Sequence, residues 1–454
     1  MPAVADSLQT LAQDALDWIR RQAGPDLEAE IYLARSEERG VEMRKGYVDV
    51  LQEASCEGAG LRIYTEGRMG FASCGGISRQ EIEGLFGKAV AQLDYPEPDP
   101  SKGFPAPGFG GEDAVLAASL WDESLFCDKL EEIVPRLRDM EAAALGFDKR
   151  VRTVPRLGYG ESRGEVAIAN ARGVMTYERG SSASIGLSAL CEEKGEIQIG
   201  SAMQLERSKA LLNFNKTAAD ASARSVFLLG AKKLPGGRRS VIFDPWMAGE
   251  FLDLVAGLLS ADQVQRGKSL LAGKLGKKIG SSLATFIDDP RRPGGAGSSL
   301  YDDEGLPTFK KVMIEKGVVK EYFYDAATAN KDKRKSNASA GRGSYRALPG
   351  PSCSNFYLAP GVLPSGKIIE STKDGIMALE IMGMHMADPI SGEFSAGVSG
   401  IAIKNGRLLG AVKGAMISGN LVELLGRIDA VGNNLTFYGA MGAPTFRISH
   451  MTVA

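Results

Sequence analysis

Histidine occurs twice in the chain, at positions 385 and 450, which removes most ways of building a metal or nucleophile site. His385 lies in GMHMADPISGEFSAGVSG, residues 383–400, among Asp388, Ser391, Glu393 and Ser395. A catalytic zinc takes about three protein ligands and an open position for water. His385, Asp388 and Glu393 could supply that set only where Pro389 and Gly392 fold the segment back on itself, and their spacing matches no established ligand pair. The simpler reading is a loop in which Asp388, Ser391 and Ser395 bond backbone groups in tight turns, because a site needs several converging ligands. His450, in FRISHMTVA, reads as a strand residue.

Other chemistry-bearing patterns are weaker. Gly267-Lys268-Ser269 resembles the end of a phosphate loop, but Asp262 stands where that motif needs its first glycine, so a solvated turn is expected. A nucleophile elbow, G-x-S-x-G, fails at Ser395, preceded by Glu393, and at Ser399, followed by Ile401. The run Lys331–Lys335, KDKRK, with Arg342 and Arg346 nearby, offers phosphate contacts without aromatic residues for base stacking, and reads as an exposed charged loop.

Stepping outward, 454 residues exceed one simple core, so at least two folded units are expected. Apolar residues at 44% and charged residues at 24% describe a soluble globular chain. Lys and Arg total 54 against 56 Asp and Glu, and a net charge of −2 provides no general pull toward nucleic acid or anionic membrane. Five scattered cysteines without CxxC read as reduced thiols. No secretory h-region opens the chain and no stretch approaches about 20 apolar residues, so a cytoplasmic location is expected.

Leu8, Leu11, Ala15, Leu16 and Ile19 recur at helical spacing between Ser7 as N-cap and Gly24-Pro25 as a stop. Residues 29–73 then read as an antiparallel meander with a turn at Glu66-Gly67, and Ser78 with Glu81 forms a capping box for a covering helix. Residues 95–111 are too rich in Pro and Gly for either element, 122–145 reads as a helix kinked or split at Pro135, and 215–234 as another helix. Between those helices, EVAIANARGVMTYER, SASIGLSAL and EIQIGSAMQLER read as further hairpins. Pro235-Gly236-Gly237 marks the expected boundary between units at 1–237 and 238–454. Beyond it come the strand SVIFDP, a helix from Trp246 to about Ser260, and hairpins including the Asn405-Gly406 turn. The expected class is α+β: an N-terminal antiparallel sheet covered by helices, then a mostly antiparallel β domain with few helices.

Several of these blocks, in order, resemble one family. EMRKGYVDVLQEASCEGAGLRIYTEGRMGFAS, FLDLVAGLLSADQVQRGKSLLAGKLGKKIGSSL, YDDEGLPTFKKVMIEKGVVKEYFYD, the run from GMHMADPISGEFSAGVSG to VGNN, and GAPTFRISHMTVA are similar to the PmbA/TldD family, also known as modulators of DNA gyrase. That resemblance implies cytoplasmic metal-dependent proteolysis of unfolded or peptide substrates by paired subunits. The TldD-type subunit carries a helical HExxxH zinc motif and a further cysteine ligand near its C-terminus. The corresponding positions here are Leu252, Asp253 and Gly257, and residues 433–442 contain no cysteine.

A zinc hydrolase needs the metal to activate water and a carboxylate to move the proton, and Asp253 alone cannot hold zinc. The resemblance is therefore to the PmbA/TldE-type subunit, with no metal in this chain and zinc expected in a TldD-type partner. His385, Asp388, Ser391, Glu393, Ser395, Asn420 and Asn433 become candidates for a substrate or partner groove, with a homodimer plausible when the partner is missing. Two alternatives stay open: a stand-alone hydrolase with an unorthodox site around His385, and a non-enzymatic modulator of DNA gyrase. Near-zero net charge and the lack of stacking motifs argue against direct nucleic-acid contact.

Overall fold

The computed structural model describes residues 7–24 and 26–454. The first helix, α1 (Leu8–Ala23), starts where the Ser7 hydroxyl accepts the Thr10 N–H, and Gly24 follows it at φ 75°; Pro25, the second half of the expected stop, lies outside the described residues. A six-stranded antiparallel sheet follows, in the order β3-β2-β1-β4-β5-β6. Its strands are β1 (Glu28–Arg44), β2 (Tyr47–Thr65), β3 (Arg68–Gly75), β4 (Val151–Asn170), β5 (Met175–Glu193) and β6 (Glu196–Glu206). The expected meander is present over β1, β2 and β3, with strands of up to 19 residues. A turn at Lys45-Gly46, both at positive φ, joins β1 to β2, and Glu66-Gly67 turns β2 into β3.

These long strands carry two successive cores on one face. Residues alternate sides of a strand, and Ile31 and Leu33 share the odd-numbered face of β1 with Val41. The first pair packs under α1 and α2 (Arg79–Ala91). Val41 packs under the second helical layer, which comprises α4 (Val134–Phe147) and α5 (Phe214–Phe227). The Ser78–Glu81 capping box forms as expected at the start of α2. Gly200 of β6 lets α5 sit directly on the sheet, since a Cβ there would lie 2.3 Å from the Ser225 nitrogen.

Two helical expectations are corrected. Residues 122–129 form turns, preceded by a short helix α3 (Ala114–Ser119), and Pro135 sits in the first turn of α4 instead of kinking a longer helix. That position suits proline, whose missing N–H has no helical acceptor there. The helix expected over 215–234 ends at Phe227, and Lys232–Lys233 instead form strand β7.

The second half builds a seven-stranded sheet from Ile428–Val431, Phe446–Val453, β8 (Gly237–Phe243), Asp374–Met382, Glu393–Lys404, Arg407–Asn420 and β7, in that order. Most pairs are antiparallel, but β8 with Asp374–Met382 and β7 with Arg407–Asn420 run parallel. The Asn405-Gly406 turn connects two of its strands, both residues at positive φ. Helix α6 (Pro245–Leu258) packs on this sheet through Phe251, beside the stacked rings of Phe243 and Phe446, 5.0 Å apart. A second six-stranded sheet contains Phe286–Asp288, Lys311–Glu315 and Phe356–Leu358.

The Pro/Gly segment 95–111 has neither helix nor strand, as expected, and ties the halves together. Phe104 is buried under the Arg62 guanidinium, and Asn330 donates to the Ser101 carbonyl at 3.0 Å.

Candidate functional site

Helix α6 carries Leu252, Asp253 and Gly257, the positions expected to match the zinc motif. Asp244 caps it by accepting the Met247 N–H at 2.8 Å, and Pro245 fixes its first turn. At about 100° per residue, positions 252 and 257 point about 140° apart, and the side chains follow: Leu252 is wholly enclosed in the second-half core, whereas Asp253 and Gly257 are exposed. Leucine and glycine offer a metal no donor atom. Among the described residues no three histidine, cysteine, aspartate or glutamate side chains lie close enough to share an ion. These residues do not fit a zinc site. Asp253 instead acts electrostatically on a residue 100 positions away: burial, then the charges of Asp288 and Asp253, push the Cys353 thiol up to about 12.

The segment around His385 folds back on itself. His385 lies on the short 3-10 turn Met384–Met386, its side chain outside the described residues. Asp388 accepts the Ile390 N–H and the Ser391 hydroxyl, both at 2.8 Å, and these bonds hold its carboxyl below the usual range. The Ser391 hydroxyl accepts the Glu393 N–H, and Asn420 donates to Ser391 O at 2.7 Å and to Glu393 Oε1 at 3.2 Å. Asn420 also caps the helix Leu421–Gly426. Four of the candidates therefore form one polar knot, while Ser395 lies exposed on the strand Glu393–Lys404 and Asn433 is exposed near Leu363. His450 is in a strand, as expected, but at φ 55° where the register shifts.

A cleft of about 610 Å³ lies elsewhere, between β4 and β5 and the loops of the second half. Asp388, Ser391, Glu393, Ser395, Asn420 and Asn433 are not in its wall. Glu178 on β5 enters it, with Oε2 accepting the N–H groups of Leu300 at 2.5 Å and Tyr301 at 3.3 Å. Burial raises this carboxyl to about 7 against the pull of those N–H groups and of Arg207. Asp302, on the opposite wall, accepts N–H groups from Glu304, Leu306 and Ala340, and burial plus the neighbouring Glu304 charge also raise it to about 7.

Behind Asp302 runs a buried ion network across the two halves. Arg62 of β2 forks onto Glu30 at 2.8 and 2.5 Å and reaches Glu304 at 3.1 Å, while Arg342 pairs with Glu30 and donates to the Asp303 carbonyl. Arg342 had read as part of an exposed charged loop with Lys331–Lys335; its side chain is fully enclosed, because the distant Glu30 supplies a buried carboxylate and Asp303 a backbone carbonyl. Gly267-Lys268-Ser269 is a turn as expected, with Ser269 buried and donating to Leu258 O. Arg207 donates to the carbonyls of Ser181, Gly295, Ala296 and Ser298, clamping the Gly-rich loop that edges the cleft. Motif reasoning missed Glu178, Asp302, Arg62 and Arg207. The one local signal was the run Asp302-Asp303-Glu304, three acids beside apolar strands.

Sequence comparison places this architecture. Three profiles match in order: PmbA/TldA metallopeptidase domain 1 at residues 29–93, the central domain at 123–229 and the C-terminal domain at 236–454. A metalloprotease of Methanocaldococcus jannaschii is 27% identical over 414 residues, 89% of each chain. Metalloprotease PmbA of Escherichia coli O157:H7 is 25% identical, covering 90% of this chain and 88% of its own. In fold, TldE from Thermococcus kodakarensis superposes with a TM-score of 0.86 at 21% identity, over 98% of this chain and 100% of that one. A Thermotoga maritima protein named for modulation of a DNA gyrase gives 0.89 at 24% identity, over 99% and 100%.

Proposed function

Because the chain belongs to the PmbA/TldD metallopeptidase family, we propose that it is a TldE-type subunit that holds unfolded or peptide substrates for a TldD-type zinc protease and does not cleave them alone. The carrying observation is helix α6, read as the counterpart of the family's zinc-motif helix, where Leu252 is packed into the core, Gly257 has no side chain and Asp253 is exposed. Hydrolysis of a peptide by this family's chemistry needs a metal-activated water, which must then come from the partner.

The 610 Å³ cleft is the substrate groove in this reading. Its walls combine the face of the paired strands β4 and β5 with carboxylates and small residues, which suits an extended chain without demanding one sequence. A cytoplasmic location accords with reduced cysteines, and among the described residues no helix is long and apolar enough to cross a membrane. A homodimer is the expected state when the partner is missing.

Mixing the purified chain with a TldD-type protein tests the proposal. A stable complex that digests a disordered peptide is expected, with no digestion by this chain alone. Cleavage by the pure chain, accompanied by stoichiometric metal after chelator-free purification, overturns it in favour of a stand-alone hydrolase.

A further inference from the structure

The charges enclosed around the cleft do not balance. Glu30, Glu178, Asp288, Asp302, Asp303 and Glu304 face Arg62, Arg207, Lys311 and Arg342, so carboxylates outnumber cations by two. The cations are already committed. Lys311 pairs with Asp288 at 3.2 Å, Arg62 and Arg342 serve the network behind the wall, and Arg207 spends its donors on carbonyls. Arg179, on the rim, turns outward to Glu123 and over the Trp121 ring. Glu178, Asp302 and Asp303 are left without a salt-bridge partner; the Asp303 carboxylate accepts the Arg342 backbone N–H, and all three border the open volume.

A second observation points the same way. Ser339 is 4% exposed and its hydroxyl has no hydrogen-bond partner, and the enclosed Nη1 of Arg342 has none either, although both residues form the cleft wall. Buried polar atoms of this kind are rarely left unsatisfied without a ligand or water to meet them. Oxygen acceptors lacking a cation on one side, and a hydroxyl with a guanidinium N–H lacking a partner on the other, describe a ligand that carries a positive donor close to a carbonyl.

We infer that the cleft binds an aliphatic ammonium group of a polypeptide, either a free amino terminus or a lysine side chain, against Glu178 and beside Asp302. Glu178 Oε2 is occupied by backbone N–H groups, which leaves Oε1 for the ammonium. The Ser339 hydroxyl and Arg342 Nη1 then meet peptide carbonyl oxygen. This inference rests on the cleft being the peptide groove.

The test uses the full chain and three disordered peptides of one length, labelled at the C-terminus: a free amino terminus without lysine, an acetylated terminus with one lysine, and an acetylated terminus without lysine. Fluorescence anisotropy at pH 7.5 should show one or both of the ammonium-bearing peptides binding about tenfold or more tightly than the blocked one, the range of a charge-assisted hydrogen bond. Which of the two binds identifies the source of the ammonium. Glu178→Gln, whose amide oxygen can still accept the Leu300 and Tyr301 N–H groups, should remove that advantage.

Equal binding of all three peptides overturns the ammonium inference while the groove reading stands. Absence of binding by any peptide overturns both. Should Glu178→Gln fail to fold, the wild-type chain supplies the second measurement. The lysine peptide's advantage should fall from pH 8 to pH 6, because Glu178 (facing Arg207, Asp303 and the Leu300 and Tyr301 N–H groups) and Asp302 (facing Glu304 and three N–H groups) take up protons while lysine stays charged. An advantage constant over that range overturns the inference.

Discussion

Arg62 on β2 donates a 3.1 Å hydrogen bond to Glu304 in the second half of the chain, and both side chains are almost completely enclosed. The same guanidinium forks onto Glu30, so one arginine neutralises carboxylates from two segments 274 positions apart, a separation that follows from the numbers of Glu30 and Glu304. Replacement by methionine would leave two buried carboxylates short of a cation. Arg62→Met should cost about 3–5 kcal/mol, the range for removing one member of a buried ion pair, read as a lower urea midpoint. Arg62→Lys should rescue little, since an ammonium cannot fork onto both acids.

The cleft acids set a pH dependence of stability. Glu178 and Asp302 have ordinary values of 4.5 and 3.8 and folded values of about 7. Between about pH 4 and 7 the folded state therefore holds more protons than the unfolded chain, and stability falls as pH rises through that window, then levels off above it. The slope is at most about 1.4 kcal/mol per pH unit for each group. Thermal midpoints measured from pH 5 to 8 should decline, and Glu178→Gln should flatten part of the decline. Glu30 works in the opposite sense at lower pH: burial opposes its charge, but Arg342 and Arg62 hold it below the usual range, so its contribution is lost as acid protonates it.

Cys353 should be inert to alkylation at pH 8. Its thiol is raised to about 12 by burial and by the carboxylates of Asp288 and Asp253. Asp253→Asn removes one of those charges and should lower that value, detected as faster iodoacetamide labelling of Cys353 at pH 10 by mass spectrometry. Asp253 is exposed, so the variant should keep its thermal midpoint.

Arg207→Ala removes donors to the Gly295, Ala296 and Ser298 carbonyls, at 3.0, 2.8 and 3.0 Å. The Gly-rich loop should open locally, with amide hydrogen exchange accelerated over residues 294–300 and a stability loss of about 1–3 kcal/mol. Unchanged exchange there would show that the loop is held by its own turns.

Gly317→Ala places a Cβ at φ 79° and 2.1 Å from the Gly280 carbonyl oxygen. With both the backbone conformation and the space against it, a loss of about 2 kcal/mol or more is expected in urea denaturation.

Local features were legible before any fold was known. The Ser78–Glu81 capping box and the turns at Glu66-Gly67 and Asn405-Gly406 each depend on a few neighbouring residues, and each forms. The helix expected over 122–145, kinked or split at Pro135, forms only from Val134, because the proline ring is accommodated in a first turn and the residues before it turn instead. Arg342 was misread because its neighbours in sequence are solvated cations, whereas its neighbours in space are Glu30 and Asp303.

By itself, the sequence determined the α+β class, the order of the family's blocks and the absence of donor side chains at Leu252 and Gly257, since each is a property of residue type and spacing. Only the tertiary structure decided that Leu252 is core, that Asp253 acts on Cys353, and that Glu178 and Asp302 share a cleft. A carboxylate's charge state depends on the water it loses and the cations it gains. Both come from segments folded against it from far along the chain.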